Sequence, residues 1–307
     1  MRAQRVIGVD LGGTKIASGV VTPDGAIERE TVRPTPVEST AALLAGLEDA
    51  VSDVLDDSIA GLGFGIPSTI DQRTGRAVFS TNIPLADVDL RTHMAERFDL
   101  PVGIDNDANA ATIAEWALGA GRGSRHMVML TLGTGIGGGL ILDGRPYRGA
   151  VGSGAELGHM VILHEGPRCQ GACTGHGHLE ALASGHAASL AAREAFGADA
   201  DARTLVELAE AGDARAREIV DGIGRRLGSG IASLVNIFNP ELVVLGGGFA
   251  AAADLLLRSV REVVARDALS PGRELVRIVR AQLGGEAGLV GAGLVALEVL
   301  DPAATPV

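Results

Sequence analysis

A chain of 307 residues is long enough for two domains with well-buried cores; hydrophobic content is an ordinary 46% but aromatics supply only 3%, so a core must be assembled from Ala, Val, Leu and Ile, which suits an α/β protein. The net charge of −12, with no run of basic residues, argues against a nucleic-acid groove or an anionic membrane surface as the main partner. No apolar run reaches the roughly 18 residues of a spanning helix and "MRAQRVIGVD" is not a signal peptide, so a cytoplasmic protein is expected, in which two nearby cysteines bind metal or stay as thiols.

"RVIGVDLGGTKIASGVVTPDGAI" reads as two β-runs, Val6 to Leu11 and Ile16 to Val21, joined by "GGTK" and closed by the turn signal "PDG". Asp10 ends the first run just before Gly12, Gly13, Thr14 and Lys15, as a turn aspartate or as the acid that a Mg²⁺ on nucleotide phosphates needs. Lys15 has a place near phosphates, or is solvated. "LPVGIDNDANAATIAEWALG" runs from a short strand, Val102 to Ile104, through Asp105-Asn106-Asp107 into an alanine-rich helix. An aspartate there is either an N-cap or a carboxylate held at a strand end, able to take a proton from a hydroxyl that attacks phosphorus.

"HMVMLTLGTGIGGGLILDGRPY" repeats the plan of the N-terminus, with Leu132-Gly133-Thr134-Gly135 aligning with Leu11-Gly12-Gly13-Thr14 about 120 residues earlier. The repeat points to a duplicated domain, each half presenting a Gly/Thr hairpin whose N–H groups suit phosphate. Gly133, Gly135 and Gly138 satisfy G-x-G-x-x-G, with Glu156 near the ribose-acid spacing, but they lead into a β-run rather than a helix, so the dinucleotide reading fails; no Walker-type loop is present.

Both cysteines of the chain lie in "CQGACTGHGHLE", residues 169 to 180, beside two of its seven histidines, with His159 and His164 just upstream. "FNPELVVLGGGFA" reads as a strand, Leu242 to Leu245, running into Gly246, Gly247 and Gly248 and a helix from near Ala250. The glycines serve either a tight turn or a flat ligand such as an adenine or its ribose. "GGEAGLVGAGLVALEVL" is a closing helix and "DPAATPV" a frayed tail.

In order, "DLGGTK", "DNDANAA", "LGTGIGGG", "GAELGHM", "LEALASG" and "LGGG" make the chain resemble, over essentially its whole length, the ROK sugar kinases and within them the bacterial glucokinases. The resemblance implies an actin-like ATPase (ribonuclease H-like) fold of two duplicated α/β domains around a nucleotide and sugar cleft. The expected division is residues 1–118, with a C-terminal helix at about 291–307 packing back on them, and 119–290 carrying a zinc loop. It further implies ATP with catalytic Mg²⁺, γ-phosphoryl transfer to the 6-hydroxyl of glucose, and a homodimer or homotetramer. By position, Asp107 matches the catalytic base; Asn106, Glu156, His159, Glu180 and, more weakly, Asn82 match sugar ligands. Asp10, Gly12, Gly13, Thr14, Lys15, Thr134, Gly135 and Gly246 to Gly248 are the nucleotide-binding candidates.

Members of the family hold a structural zinc with the His of "GHM" and three cysteines in a C-x-C-x4-C run. Here Cys173 keeps the middle position, Cys169 is displaced two residues upstream, and His178 stands where the last cysteine would be. His159, Cys169, Cys173 and His178 form an ordinary tetrahedral zinc set, with His176 as rival fourth ligand. The loop so fixed carries His159 and Glu180 and is expected to touch no phosphate, so zinc loss should raise the KM for sugar more than that for ATP. Alternatives are another hexose (N-acetylmannosamine, N-acetylglucosamine, mannose or fructose), ADP or polyphosphate as donor, and a sugar-responsive regulator. Regulators of the family carry a helix-turn-helix before the first hairpin, whereas here the hairpin begins at residue 5.

Overall fold

The computed structural model describes residues 4–80, 83–249 and 253–301. Asn82, the expected helix start near Ala250 and all of the tail but Asp301 lie outside them. The described residues fall into two compact units, one drawn from 1–123, 140–155 and 282–307, the other from 124–139 and 156–281. Beside the expected 1–118 and closing helix, the first unit thus takes in 119–123, 140–155 and 282–290.

The first unit begins with β1 (Arg5–Leu11), β2 (Lys15–Val21) and β3 (Ile27–Pro34), an antiparallel meander. β1 is buried on both faces and reads as a near-continuous apolar run, whereas β3 alternates and carries Glu28, Arg29, Glu30 and Arg33 along an edge. α1 (Thr40–Ser52), capped by Ser39, covers one face. β4 (Ile59–Ile66) then pairs parallel to β1; a small ribbon follows, β5 (Thr69–Asp71) and β6 (Arg76–Phe79), then α2 (Leu90–Phe98). β7 (Val102–Asn106) completes the sheet, in the order β3-β2-β1-β4-β7, and leads directly into α3 (Asp107–Leu118).

The second hairpin repeats the first. β8 (Met127–Leu132) and β9 (Ile136–Leu142) are followed by the two-residue β10 (Arg145–Pro146). Next come α4 (Leu179–Ala183), α5 (Gly185–Phe196), α6 (Ala202–Glu210) and the 25-residue α7 (Ala214–Phe238). β11 (Leu242–Gly246), α8 (Ala253–Asp267), α9 (Gly272–Leu275) and β12 (Arg277–Arg280) close the sheet. Its order, β10-β9-β8-β11-β12, is that of the first sheet element for element, with β8, β11 and β12 parallel as β1, β4 and β7 are. The duplication read from the two Gly/Thr hairpins is therefore a duplication of whole sheets.

α10 (Ala287–Leu300) returns to the first unit and lies on β1, β4 and β7 beside α3. Gly8, Gly63 and Gly103 are register neighbours across those strands. A Cβ on them would stand 2.3 Å from the carbonyl oxygen of Leu289, 1.9 Å from that of Ala292 and 2.5 Å from that of Val295. Those three carbonyls are spaced three residues apart along one face of the helix, so a row of bare backbone on the sheet receives a row of backbone on α10. Fully buried Glu115 of α3 fixes the chain entering α10, accepting from the N–H groups of Gln282 (3.1 Å) and Leu283 (2.7 Å) as well as from Ala120 N–H (2.9 Å).

Gly63→Ala should therefore lower stability by about 1–3 kcal/mol through overpacking. Gly285→Ala, where a Cβ would meet nothing within 4 Å, should change it by less than about 0.5 kcal/mol. Urea titration of both variants measures the difference.

Candidate functional site

In the first unit the carboxyl ends of three parallel strands come into register: Asp10 of β1 faces Gly65 of β4, which faces Asp105 of β7, with Ile66 paired to Asn106. Such strand ends are where open α/β sheets bind ligands. Asp10 closes the row beside the hairpin, its carboxylate lodged where a Cβ on Gly288 of α10 would be (2.4 Å). Burial pushes its carboxyl up, and exposed Lys15 opposes this by charge. A carboxylate that is costly to ionise and forms no ion pair among the described residues fits a site for Mg²⁺, which takes one or two carboxylates plus phosphate oxygens.

The hairpin itself is held from behind. Thr35 donates its hydroxyl to Gly12 O (2.7 Å) and its N–H to Thr14 O (3.1 Å). In a trans peptide the C=O of one residue and the N–H of the next point in opposite directions, so anchoring Gly12 O aims Gly13 N–H away from Thr35. Sequence reasoning missed Thr35, which stands twenty residues beyond Lys15 in an unremarkable "RPTP".

At the β7–α3 junction the roles divide differently from expectation. The helix cap is Asn106, whose Oδ1 accepts from Ala108 N–H (2.9 Å) and Asn109 N–H (3.3 Å); Asp107 is the first helical residue, its Oδ1 also accepting from Ala108 N–H (2.9 Å). A carboxylate there sits where the helix dipole favours negative charge. Asn106 keeps only its amide N–H₂ to offer a ligand, with Ser68 O at 3.5 Å.

Asp105, fully buried, accepts from Asn106 N–H (2.8 Å) and from the Asn109 side chain (3.0 Å) on one oxygen, and from Arg148 Nε (2.6 Å) on the other. Arg148 turns its remaining nitrogens to Glu298 of α10 (3.0 and 2.7 Å). Burial pushes the Asp105 carboxyl up, while Arg148, Asn109 and the Asn106 N–H pull it down. Burial likewise works against the Arg148 charge, but the carboxylates of Asp105 and Glu298 hold it above its usual range.

In the second unit the Thr134 hairpin is anchored by different parts. Gly133 O accepts from Gly185 N–H (2.8 Å), and Thr134 O from His186 N–H (3.2 Å) and Gln170 Nε2 (3.2 Å). By the same peptide geometry the N–H groups of Thr134 and Gly135 point away from those anchors. Glu180 of α4 accepts from Ile136 N–H (2.9 Å), and a Cβ on Gly135 would fall 2.1 Å from its carboxylate, so a side chain there would have to displace it. The loop carrying the cysteines thus reaches the second hairpin through Gln170, and the segment that follows it through Glu180.

The structure gathers His159, Cys169, Cys173 and His178 so that their ligand atoms lie within 4.8 Å of one another. His159 Nδ1 is 3.1 Å from His178 Nδ1 and 3.8 Å from each sulfur, and Cys173 Sγ is 3.6 Å from His178 Nδ1. Tetrahedral zinc with bonds of about 2.0–2.3 Å requires ligand separations of roughly 3.3–3.8 Å, which this set fits with small adjustment. His176 is not among them: its Nδ1 lies 3.3 Å from Gly166 O. Burial, with Glu180 and Cys173 adding to it, pushes the Cys169 thiol up to about 12, and burial lowers His178. His159 presents Nδ1 to the cluster, which leaves Nε2 for a second partner. Glu156 stands beside the group; desolvation pushes its carboxyl up, His159 opposes the shift and Glu180 adds to it.

A cavity of about 840 Å³ opens behind the hairpin, lined by Gly133, Thr134, His186, Arg193, Gly248 and Phe249 among others. The three glycines after β11 have separate reasons. Gly246 packs against Met129 and Ala281, and Gly247 has positive φ (+87°) with Leu132 O where its Cβ would be (2.4 Å). Only Gly248 faces open space and lines the cavity.

Two sheets of one topology, each opening with a Gly/Thr hairpin anchored by its carbonyls, define the actin-like ATPase fold as it occurs in sugar kinases. The chain belongs to the ROK family, whose model matches residues 6–299. It is similar to a glucokinase of Thermotoga maritima, 37% identical over 96% of this chain and 98% of that protein. Among solved structures it is similar to a ROK hexokinase from Thermus thermophilus (41% identity, TM-score 0.83, covering 97% of this chain and 100% of that one). It is also similar to a ROK family glucokinase from Streptomyces griseus in complex with glucose and AMPPNP (32% identity, TM-score 0.84, 96% and 99% covered).

Replacing Arg148 by Met should leave Asp105 buried without a counter-charge and cost about 3–5 kcal/mol. Adding Asp105→Asn should recover more than half of the loss, because the stranded charge goes with it. Chemical denaturation of the single and double variants checks both expectations.

Proposed function

We propose that this chain is an ATP-dependent hexokinase of glucokinase type, with Asp107 as general base for transfer of the γ-phosphoryl group to the 6-hydroxyl of glucose. The observation that carries the reading is the row of strand ends in the first unit, where Asp10, the Gly12–Thr14 turn and the Asp105–Asp107 turn are set by strand register. A phosphate hairpin and a carboxylate at a helix start, on one rigid sheet, are what transfer to a hydroxyl needs: an anion cradle and a proton acceptor. The similarity to glucokinases, one of them holding glucose and AMPPNP, supports the donor and acceptor.

In this reading the Gly13 N–H, Thr14 and Lys15 serve the phosphates in the first unit, and Thr134 and Gly135 serve them in the second. Mg²⁺ held at Asp10 would neutralise charge on the transferred group. The adenosine occupies the 840 Å³ cavity against Gly248. Asn106 and Asp107 in the first unit, and Glu156, His159 and Glu180 in the second, meet sugar hydroxyls, whose pattern of donors and acceptors gives steep selectivity. A structural zinc on His159, Cys169, Cys173 and His178 orders the segment bearing Glu180. A cytoplasmic location, expected from the sequence, and a homodimer or homotetramer, implied by the family resemblance, belong to the same proposal; among the described residues no helix is long and apolar enough to cross a membrane.

Asp107→Asn should retain sugar binding while kcat falls roughly 10²–10⁴-fold. In a panel of hexoses with ATP-Mg²⁺, glucose should give the highest kcat/KM; a higher value for N-acetylmannosamine or fructose would move the acceptor, and a variant with near-normal turnover would move the base.

Elemental analysis should find about one zinc per chain, kept in His178→Cys and His176→Ala and lost in His178→Ala. No metal in the wild-type protein would remove zinc from the proposal.

A further inference from the structure

The Thr134 turn is gripped from two sides. On one side are the backbone N–H groups of Gly185 and His186, fixed by the start of α5. On the other is the segment that carries the four-residue cluster. Gln170, next in sequence to Cys169, donates to Thr134 O at 3.2 Å. Glu180 takes Ile136 N–H on one oxygen (2.9 Å) and the Cys169 thiol on the other (3.4 Å). A Cβ on Gly135 would stand 2.1 Å from the Glu180 carboxylate and 3.0 Å from Gln170 Nε2, so the turn rests directly on both side chains.

Because the Thr134 carbonyl and the Gly135 N–H belong to one planar peptide, whatever holds the carbonyl sets where the N–H points. His186 N–H and Gln170 Nε2 share that carbonyl. The first donor is built into a helix; the second sits on a loop whose conformation depends on Cys169 and its partners. We propose that Gln170 is a positioning residue for the nucleotide, aiming the Gly135 N–H at a phosphate, and that the cluster loop thereby sets affinity for ATP. This rests on the reading of the Thr134 hairpin as a phosphate cradle. It adds a nucleotide effect to the expectation that zinc loss raises the KM for sugar more than that for ATP.

The experiment uses Gln170→Ala and Gln170→Glu, the second keeping the shape but offering only acceptors to Thr134 O. Calorimetry gives the Kd for AMPPNP-Mg²⁺, and steady-state kinetics give the KM for ATP and for glucose. Loss of one neutral hydrogen bond should raise the nucleotide Kd and the KM for ATP roughly 3–10-fold in both variants. The KM for glucose should stay within about two-fold. Stripping zinc from the wild-type protein with a chelator, dialysed away before AMPPNP-Mg²⁺ is added, should also weaken AMPPNP binding, and should weaken it less in Gln170→Ala, since the two changes act on one contact. Nucleotide Kd unchanged in both variants, a KM for glucose that rises as much as that for ATP, or chelation without effect on wild-type AMPPNP affinity would each overturn the inference while leaving the kinase reading intact. Wild-type protein that neither binds AMPPNP nor phosphorylates sugar would overturn the kinase reading and this inference with it.

Discussion

Arg148 holds together three pieces of the first unit that are far apart in sequence. Its guanidinium lies between the carboxylates of Asp105, at the end of β7, and Glu298, on α10, with five donors arranged in a plane that suits two carboxylates at once. Asp105 in turn holds the Asn106 N–H and the Asn109 side chain, so the first turn of α3 is fixed before any capping is counted. Asp107 is the next residue of that turn. The arrangement costs the burial of a charge and is secure only while every member is present, which makes it a device for geometry more than for stability.

The two hairpins show how one topology can be braced in two ways. In the first, a single residue from the following strand end, Thr35, supplies both donors. In the second, the bracing comes from three separate parts, α5, Glu180 and Gln170. A brace made by one neighbouring strand moves with its own sheet. A brace spread over a helix start and a cysteine loop exposes the turn to whatever changes that loop.

Much of this was legible in the sequence because it lies in local chemistry. The two apolar-Gly/Thr-apolar stretches gave both hairpins and their duplication, and "DND" before an alanine-rich run gave the strand end and helix start. Cys169, Cys173 and His178 could be grouped with His159 from spacing and family pattern alone; their proximity in the structure agrees with that grouping. What stayed hidden depends on pairing over long separations. Arg148, Glu298, Thr35 and Gln170 are ordinary residues until the fold sets them against Asp105, Gly12 and Thr134. The division of labour at Asn106 and Asp107 could not be read either, since both residue types cap helices well and one residue of register decides which does so.

The glycine row beneath α10 carries a thermodynamic signature. A glycine Hα points where a Cβ would stand, so Gly8, Gly63 and Gly103 direct C–H bonds at the carbonyls of Leu289, Ala292 and Val295, weak contacts made between backbones. Such a seam orders no side chain and therefore forfeits no rotamer freedom. It also hides less hydrocarbon than a layer of leucine or phenylalanine would, and the heat capacity of unfolding follows the hydrocarbon exposed. The glycine seam should thus contribute little curvature to the dependence of stability on temperature, and its share of the hold on α10 should weaken less on cooling than the share supplied by the buried Leu289, Val290, Leu294 and Val295.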